Sequence, residues 1–404
     1  MRKRLLVIVS RYSMDRFDPG DFVTELSEWI NRKGFDVYVL APHDYGLKFE
    51  EEINGIKIYR FPYFFPYKYQ QVAYGPGILD NIKKSLLAML QVPLFILFEL
   101  YYSFKIIKAN GIDIIHSHWI IPQGLIGAIC SKIHKIPHIA TVHGSDVNMV
   151  KNNVFLKNIV SFIIKNSCCI TVNSTFTKNL IMDIINKSNE NKIEIIPMGI
   201  DLDRFAPVNN ISLKKKYTEG NLLLFVGRLI DWKGANYLVE AMKDVVIACP
   251  KTKLLIVGDG PEKPELEKMT SKLRLTNIVY FIGEIKSTDV VKYYSAADVF
   301  IIPSIVVDGH TEGLGVVTIE AMACGTPAIG SNVGGIPDVI KDGYNGFLVP
   351  ERSPKEISQR IIQILSDKEL ERKFIRNGLI TVKNKFSWGM VSDKFINVFQ
   401  SNIQ

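Results

Sequence analysis

Along the chain, short runs of β-branched and other apolar residues alternate with longer stretches whose apolar positions recur at helical spacing. The first series of short runs is LLVIV at 5–9, DVYVL at 36–40, DIIHSH at 113–118, HIATV at 138–142, CCITV at 168–172 and IEIIP at 193–197. A second comprises LLLFVG at 222–227, KLLIVG at 253–258, NIVYFIG at 277–283, DVFIIPS at 298–304 and PAIGS at 327–331. Such alternation predicts βαβ units, and hence an α/β fold with two doubly wound parallel sheets. Between the two series, PMGIDLDRFAPVNN at 197–210 gathers Pro, Gly, Asp and Asn without apolar periodicity and reads as a linker. The expected domains are therefore 1–200 and 201–386. Helical patterns near 354–366 and 368–384 close the second, and a last one runs from Ser387 to about residue 400.

Two segments bear on membranes. The N-terminal RKRLLVIVS has an apolar core of five residues, too short for the roughly 7–15 of a signal-peptide core, so it reads as a first strand. From Leu86 to Ile107 the chain is largely apolar and is flanked by Lys83, Lys84 and Lys108. Gln91, Pro93, Glu99 and Lys105 interrupt it, which favours a core or interfacial helical pair over a membrane span.

Of 404 residues, 47% are hydrophobic and 22% charged, enough apolar surface for ordinary cores and incompatible with a disordered chain. Five cysteines, Cys130, Cys168, Cys169, Cys249 and Cys324, cannot form an even disulfide framework and fall mostly in apolar runs, which points to buried thiols in a reducing compartment. The net charge of +8 is uneven, because residues 1–200 hold 23 Lys and Arg against 17 Asp and Glu. A basic first half suits a solvated surface, an anionic lipid surface or a phosphorylated substrate. No basic run is longer than Lys214-Lys215-Lys216, and no stripe of interleaved aromatics is present, which argues against a nucleic-acid partner.

Ligands of open α/β sheets sit beyond the carboxyl ends of the strands, so the loops there carry the candidate chemistry. After LLLFV comes Gly227-Arg228-Leu229-Ile230-Asp231-Trp232-Lys233-Gly234. Gly227 permits close backbone approach, Arg228 suits a bidentate phosphate contact and Lys233 a point-charge contact; alternatively both cations are simply solvated. The loop from Ser304 through Thr311-Glu312-Gly313-Leu314-Gly315 leads into the helical pattern VVTIEAMACG, whose N-terminus would offer free N–H groups to phosphate. Glu312 is either a cap or an acceptor for sugar hydroxyls. Glu320 is either solvated or an acceptor for a ribose, and its neighbours Ile319, Ala321 and Met322 weaken the first choice. Gly334-Gly335-Ile336-Pro337-Asp338 is a further tight turn into a helix. Gly258-Asp259-Gly260-Pro261 begins like a dinucleotide fingerprint, but Lys263 stands where the third glycine belongs, so a nicotinamide cofactor is poorly supported.

In the first half, Thr141-Val142-His143-Gly144-Ser145-Asp146 closes the HIATV run. His143 is either a cleft group or a satisfied edge histidine. His116 and His118 alternate on one strand without a carboxylate or cysteine constellation nearby, a weak basis for a metal site, and no metal is expected.

Taken together, GRLIDWKG and EGLGVVTIEAMACGTPAIGSNVGGIPDVIKDGYNGFLV resemble the retaining GT-B glycosyltransferases of the family 4 type, in which one Glu is followed after seven residues by another, here Glu312 and Glu320. The resemblance extends through DIIHSHWIIPQG, TVHGSD, IPMGIDLDRF and the terminal FSW, nearly the whole chain. It implies the GT-B fold, two Rossmann-like domains facing across a cleft, with a final helix, 387–404, packing back on the N-terminal domain. It also implies a nucleotide-sugar donor held mainly by the second domain. By the same resemblance, Arg228 and Lys233 would neutralise the donor diphosphate in place of a divalent metal, so that no cofactor is required. Glu312 would hold the sugar hydroxyls, Gly227, Gly313, Leu314 and Gly315 would meet sugar and phosphate, Glu320 would bind the ribose, and Ile285 of Gly283-Glu284-Ile285 would lie by the base. His143 and Asp146 would approach from the first domain.

The implied reaction is transfer of a glycosyl unit to an acceptor hydroxyl of a growing or lipid-linked saccharide with retention, the leaving phosphate taking the acceptor proton. One departure stands out: the loop after the first strand offers only Gly20, followed by Asp21 and Phe22, where relatives carry a glycine pair for acceptor contacts. UDP and GDP stay open. An epimerase of the same fold and a catalytically silent sugar-nucleotide scaffold are the alternatives. The expected location is cytoplasmic, at or near the inner face of an anionic membrane, in cell-envelope polysaccharide synthesis.

Overall fold

The apolar runs become strands of two sheets in the computed structural model, which describes residues 2–12, 22–75, 77–148, 150, 153–185 and 187–403. The first sheet holds β1 (Lys3–Ile8), β2 (Phe35–Pro42), β3 (Glu50–Ile53), β4 (Ile56–Phe61), β5 (Ile114–His118), β6 (His138–Val142), β7 (Cys169–Val172) and β8 (Ile193–Ile195), in the order β3-β4-β2-β1-β5-β6-β7-β8. Only the β3–β4 pair is antiparallel. The second sheet is parallel throughout: β9 (Leu222–Val226), β10 (Lys253–Val257), β11 (Val279–Gly283), β12 (Val299–Ile302), β13 (Ala328–Ser331) and β14 (Gly346–Val349), ordered β11-β10-β9-β12-β13-β14. This is the doubly wound order in which the direction of winding reverses beside the first strand of each sheet, between β1 and β5 and between β9 and β12.

Burial on both faces explains why the runs are continuous rather than alternating. Leu222, Leu224, Phe300 and Ile302 point into one core, while Leu223, Phe225, Val299 and Ile301 point into another on the opposite face. Three strands escaped the sequence reading. The β3–β4 hairpin turns at Asn54-Gly55, both with positive φ (51° and 76°), the chemistry of a two-residue hairpin turn. The third is the four-residue edge strand β14.

The chain divides into one unit of Met1–Ile196 with Val391–Gln404 and another of Pro197–Met390. The division falls four residues before the expected boundary at 200/201, for a backbone reason. The Ile200 N–H donates to the Phe386 carbonyl at 2.8 Å and the Trp388 N–H to the Ile200 carbonyl at 3.2 Å, so 197–200 is stitched to the end of the second unit. Gly199 lies flat on Trp388: a Cβ there would stand 2.3 Å from the indole. In the last helix, Trp388–Asn402, residues from Val391 onward belong with the first unit. There Phe395 and Phe399 each lie 5.3 Å from the His116 ring, and Asp393 pairs with Lys33 at 2.6 Å.

Leu86–Asn110 is one continuous 25-residue helix, in place of the expected helical pair, with Pro93 inside it. By length and composition it is apolar enough to cross a membrane, which the interruptions in its sequence had argued against. Its buried residues, however, include Gln91, Glu99 and Ser103, packed on the first unit. Burial of that face offsets the roughly 3 kcal/mol that an interior proline costs a helix. Among the cysteines, all free, Cys130, Cys169 and Cys324 are buried, but Cys168 is exposed and Cys249 half-buried.

Glu99 is fully buried, and burial pushes its carboxyl up to about 8, the hydrogen bond from Gln123 opposing the rise. Between the ordinary carboxylate range and that value the folded chain holds a proton that the unfolded chain has lost. The stability this group contributes is thus complete at low pH and lost as the pH rises through that window. Glu99→Gln should remove the loss: its urea midpoint should exceed that of the parent at about pH 8.5 and match it at about pH 5.

Candidate functional site

The winding of the second sheet reverses between β9 and β12, and the loops leaving those two strands are knitted together there. The Ile305 N–H donates to the Trp232 carbonyl at 2.9 Å, which ties the loop after β12 to the loop after β9. Gly234, at φ 66°, lies so close to this crossing that a Cβ would stand 2.1 Å from the Pro303 carbonyl oxygen. On the other side, Gly334 and Gly335 press on the carbonyls of Glu312 and Gly313, each at 2.2 Å from a notional Cβ, and the Gly335 N–H donates to the Glu312 carbonyl at 2.9 Å. The Gly-rich turn after β13 is therefore a backbone clamp on the 312–315 segment, a role its sequence alone left as a tight turn.

Inside this clamp, Lys233 Nζ forms an ion pair with Glu312 Oε1, and Ser304 Oγ donates to the same oxygen at 3.1 Å. Lys233 is 14% and Glu312 9% exposed. Glu312 is therefore not a helix cap; its carboxylate is held by a cation and a hydroxyl. The Lys233 ammonium also lies 4.6 Å from the centroid of the Trp232 ring. Arg228, after β9, is exposed and makes no ion pair among the described residues. The helix Val316–Ala323 starts from Gly315 in the left-handed region, φ 81°, with no side-chain cap; the Thr318 N–H turns back to the Gly315 carbonyl at 2.9 Å, which leaves the two N–H groups before it for an anion. Leu314 faces the core, leaving only its backbone for a ligand. Glu320, further along this helix, accepts a hydrogen bond from the Tyr294 hydroxyl at 2.7 Å. Burial, and then the carboxylate, push the Tyr294 phenol well above its ordinary range.

Gly227 N–H donates to the Val257 carbonyl, 3.0 Å, where the β9 and β10 loops meet. Ile285 packs against the second-unit core. It lines an open pocket of about 400 Å³ with Leu213, Lys286, Asp289, Lys292 and Tyr293.

In the first unit the corresponding reversal lies between β1 and β5. Gly20 and Asp21 lie outside the described residues. His118 ends β5 and His143 follows β6; their rings stack at 5.5 Å, with His118 Nδ1 and His143 Nε2 3.3 Å apart. Phe22 and Trp119 close around His143, at 4.8 and 5.0 Å between rings. Trp119 adopts φ 70°, strained for a residue with a side chain. Burial lowers the His143 imidazole to about 3, so it is neutral at ordinary pH. Among the described residues its Nδ1 has no partner, and neither has Nε2 of His118.

Asp146 departs from the expected substrate-binding role. One carboxylate oxygen accepts from the Ile120 N–H at 2.8 Å, and the other from the N–H groups of His143 (3.2 Å) and Gly144 (3.0 Å). Both oxygens are spent on backbone, so Asp146 shapes the loop that presents His143. Asp146, Ser304 and Tyr294 show what sequence reasoning misses, since their partners are distant in the chain or are backbone amides. The only available signal for Ser304 was its place at a strand end. No group of three or more metal-ligating side chains occurs among the described residues.

Residues 20–204 match the family described as glycosyltransferase family 4 and residues 209–380 the family described as glycosyl transferases group 1. An uncharacterised glycosyltransferase of Methanocaldococcus jannaschii is 31% identical over 286 residues, 70% of this chain and 74% of that protein. Among solved structures, sucrose-phosphate synthase of Thermosynechococcus elongatus superposes with a TM-score of 0.77 at 24% identity, covering 99% of both chains. HepE of Anabaena, solved in complex with UDP, reaches 0.74 at 17% identity over 98% of this chain and 100% of its own. At these identities the structural likeness is one of fold, and the fold is GT-B. Two parallel-sheet domains wound in the same sense, together with a relative at 31% identity and family matches over almost the full length, place the chain in the group 1 glycosyltransferases of the family 4 type.

Proposed function

We propose that the enzyme transfers a glycosyl unit from a nucleotide-diphosphate sugar to an acceptor hydroxyl with retention and without a metal ion. The observation that carries the reading is the convergence of Arg228, Lys233, Glu312 and an uncapped helix N-terminus on the winding reversal of the second sheet. On donor binding, Lys233 would leave Glu312 for the diphosphate, beside Arg228. Glu312 would then be free to accept hydrogen bonds from the sugar. Charge on the departing phosphate would be stabilised by the two cations and the helix dipole, the kind of electrostatic stabilisation that dominates many enzymatic rate enhancements. Glu312 starts out engaged by Lys233 and Ser304, which suits a holding carboxylate better than a nucleophile. Front-face attack, with the leaving phosphate accepting the acceptor proton, is the route consistent with retention here. The neutral imidazole of His143 would serve as a hydrogen-bonding group toward the sugar. A UDP complex of a protein with the same fold supports a nucleoside-diphosphate donor. A growing or lipid-linked saccharide is the proposed acceptor, and the cytoplasm, with its reducing conditions, the proposed location.

The test is a set of UDP- and GDP-sugars in thermal and urea unfolding. The true donor at 100 times its dissociation constant should stabilise the chain by about 2.7 kcal/mol. With that donor, turnover should survive a chelator such as EDTA, and NMR of the product should show the anomeric configuration of the donor. Stabilisation by no nucleotide sugar, or turnover abolished by the chelator and restored by magnesium, would overturn the reading.

A further inference from the structure

The helix Leu86–Asn110 is apolar on both faces: it buries Ala88, Phe95, Ile106 and Ile107 against the first unit and still leaves an apolar row outside. Leu86, Met89, Leu90, Leu94, Leu97 and Tyr101 are all exposed, Leu86 at 68% and Leu90 at 65%. At 100° per residue these positions share one face. The opposite face, packed on the first unit, buries Gln91, Glu99 and Ser103 to 1% or less. That burial leaves Glu99 Oε2 and its neighbour Gln123 Oε1 without partners among the described residues. An apolar ridge running for about 22 Å along one helix is more than the scattered exposed leucines of an ordinary surface.

Cations frame the ridge. Lys83 and Lys84 are exposed just before it, and Lys105 and Lys108 are exposed beyond its other end, on the same side by helical angle. The one carboxylate of the helix, Glu99, is on the buried face. Beside the helix, the loop 65–69 exposes Phe65, Tyr67, Lys68 and Tyr69. It is tied to the helix through Gln91, which donates to the Tyr69 carbonyl at 2.8 Å and accepts from the Gln71 N–H at 3.1 Å.

An apolar ridge with lysines at both ends and aromatics alongside matches the boundary between acyl chains and anionic headgroups. A second copy of the chain matches it poorly. Two-fold pairing along this face would set the lysines of one copy against those of the other, with no carboxylate on the face to separate them. We propose that the outward face of Leu86–Asn110, with the loop 65–69, docks on an anionic lipid bilayer, the helix lying flat in the interface. This surface is independent of the transfer reading, since docking needs neither donor nor acceptor.

The full chain, without sugar nucleotide, is sedimented with phosphatidylcholine vesicles with and without about 30 mol% phosphatidylglycerol. Binding should be at least about tenfold stronger to the anionic vesicles and should weaken as salt rises. Leu90→Ser/Leu94→Ser/Leu97→Ser should reduce it by at least about tenfold with an unchanged Tm. Lys105→Glu/Lys108→Glu, which leaves the ridge intact, should also weaken it and decides the matter should the serine variant fold poorly. No binding, binding as strong as the parent's by both variants, or a dimer by light scattering that the serine substitutions dissolve would overturn the proposal.

Discussion

Replacing Arg228 by Ala should lower kcat/KM for the nucleotide-sugar donor by about 10²- to 10³-fold, equivalent to about 3–4 kcal/mol of transition-state stabilisation, while leaving Tm nearly unchanged. The asymmetry follows from its position. Arg228 stands at the carboxyl end of β9, exposed and in no ion pair among the described residues, so the fold does not lean on its side chain. If it faces a diphosphate, the loss belongs to catalysis alone. Arg228→Lys should recover only part of the rate, because a point charge cannot reproduce a bidentate contact. Steady-state kinetics with the donor identified by thermal shift, run beside calorimetry, checks both halves. Full activity in Arg228→Ala would reject the assignment.

Glu312→Ala should act on stability as well as rate. Its carboxylate is 9% exposed and holds an ammonium that is 14% exposed. Removing it leaves Lys233 nearly buried without its counter-ion and Ser304 without its acceptor. Breaking a well-buried pair typically costs 3–5 kcal/mol; the residual solvent access here brings the expected loss to about 2–3 kcal/mol. Lys233→Met/Glu312→Ala should recover much of that stability, since the unpaired charge goes with its partner, while activity stays lost. A double-mutant cycle in urea denaturation measures the coupling, and donor turnover in the same variants reports the catalytic share. Additive losses of stability would show that the two side chains do not support one another in the free enzyme.

The behaviour expected of these two residues differs for a reason the chain's order conceals. Arg228 and Lys233 share one loop and read as a matched pair of cations. In the fold Lys233 is neutralised by a carboxylate 79 positions away, and Arg228 is not. Glu320 likewise reads as either solvated or an acceptor for a ribose, and in the fold it carries a hydrogen bond from Tyr294, 26 residues earlier. Asp146 reads as a cleft carboxylate but is consumed by three backbone amides of its own loop and the β5 loop. Each correction concerns a partner, and partners across a sheet are set by strand order.

What the amino-acid sequence determined by itself was the alternation of apolar runs and helical stretches and the α/β class with two parallel sheets. These are local properties, because burial on both faces of a parallel strand writes an unbroken apolar run wherever the strand lies. Tertiary structure alone decided which charges neutralise one another, which glycines sit where backbones cross, and which way Leu86–Asn110 faces. Those depend on contacts between segments far apart in the chain. Leu86–Asn110 carries apolar residues on both faces, so helical periodicity cannot say which of the two meets the protein.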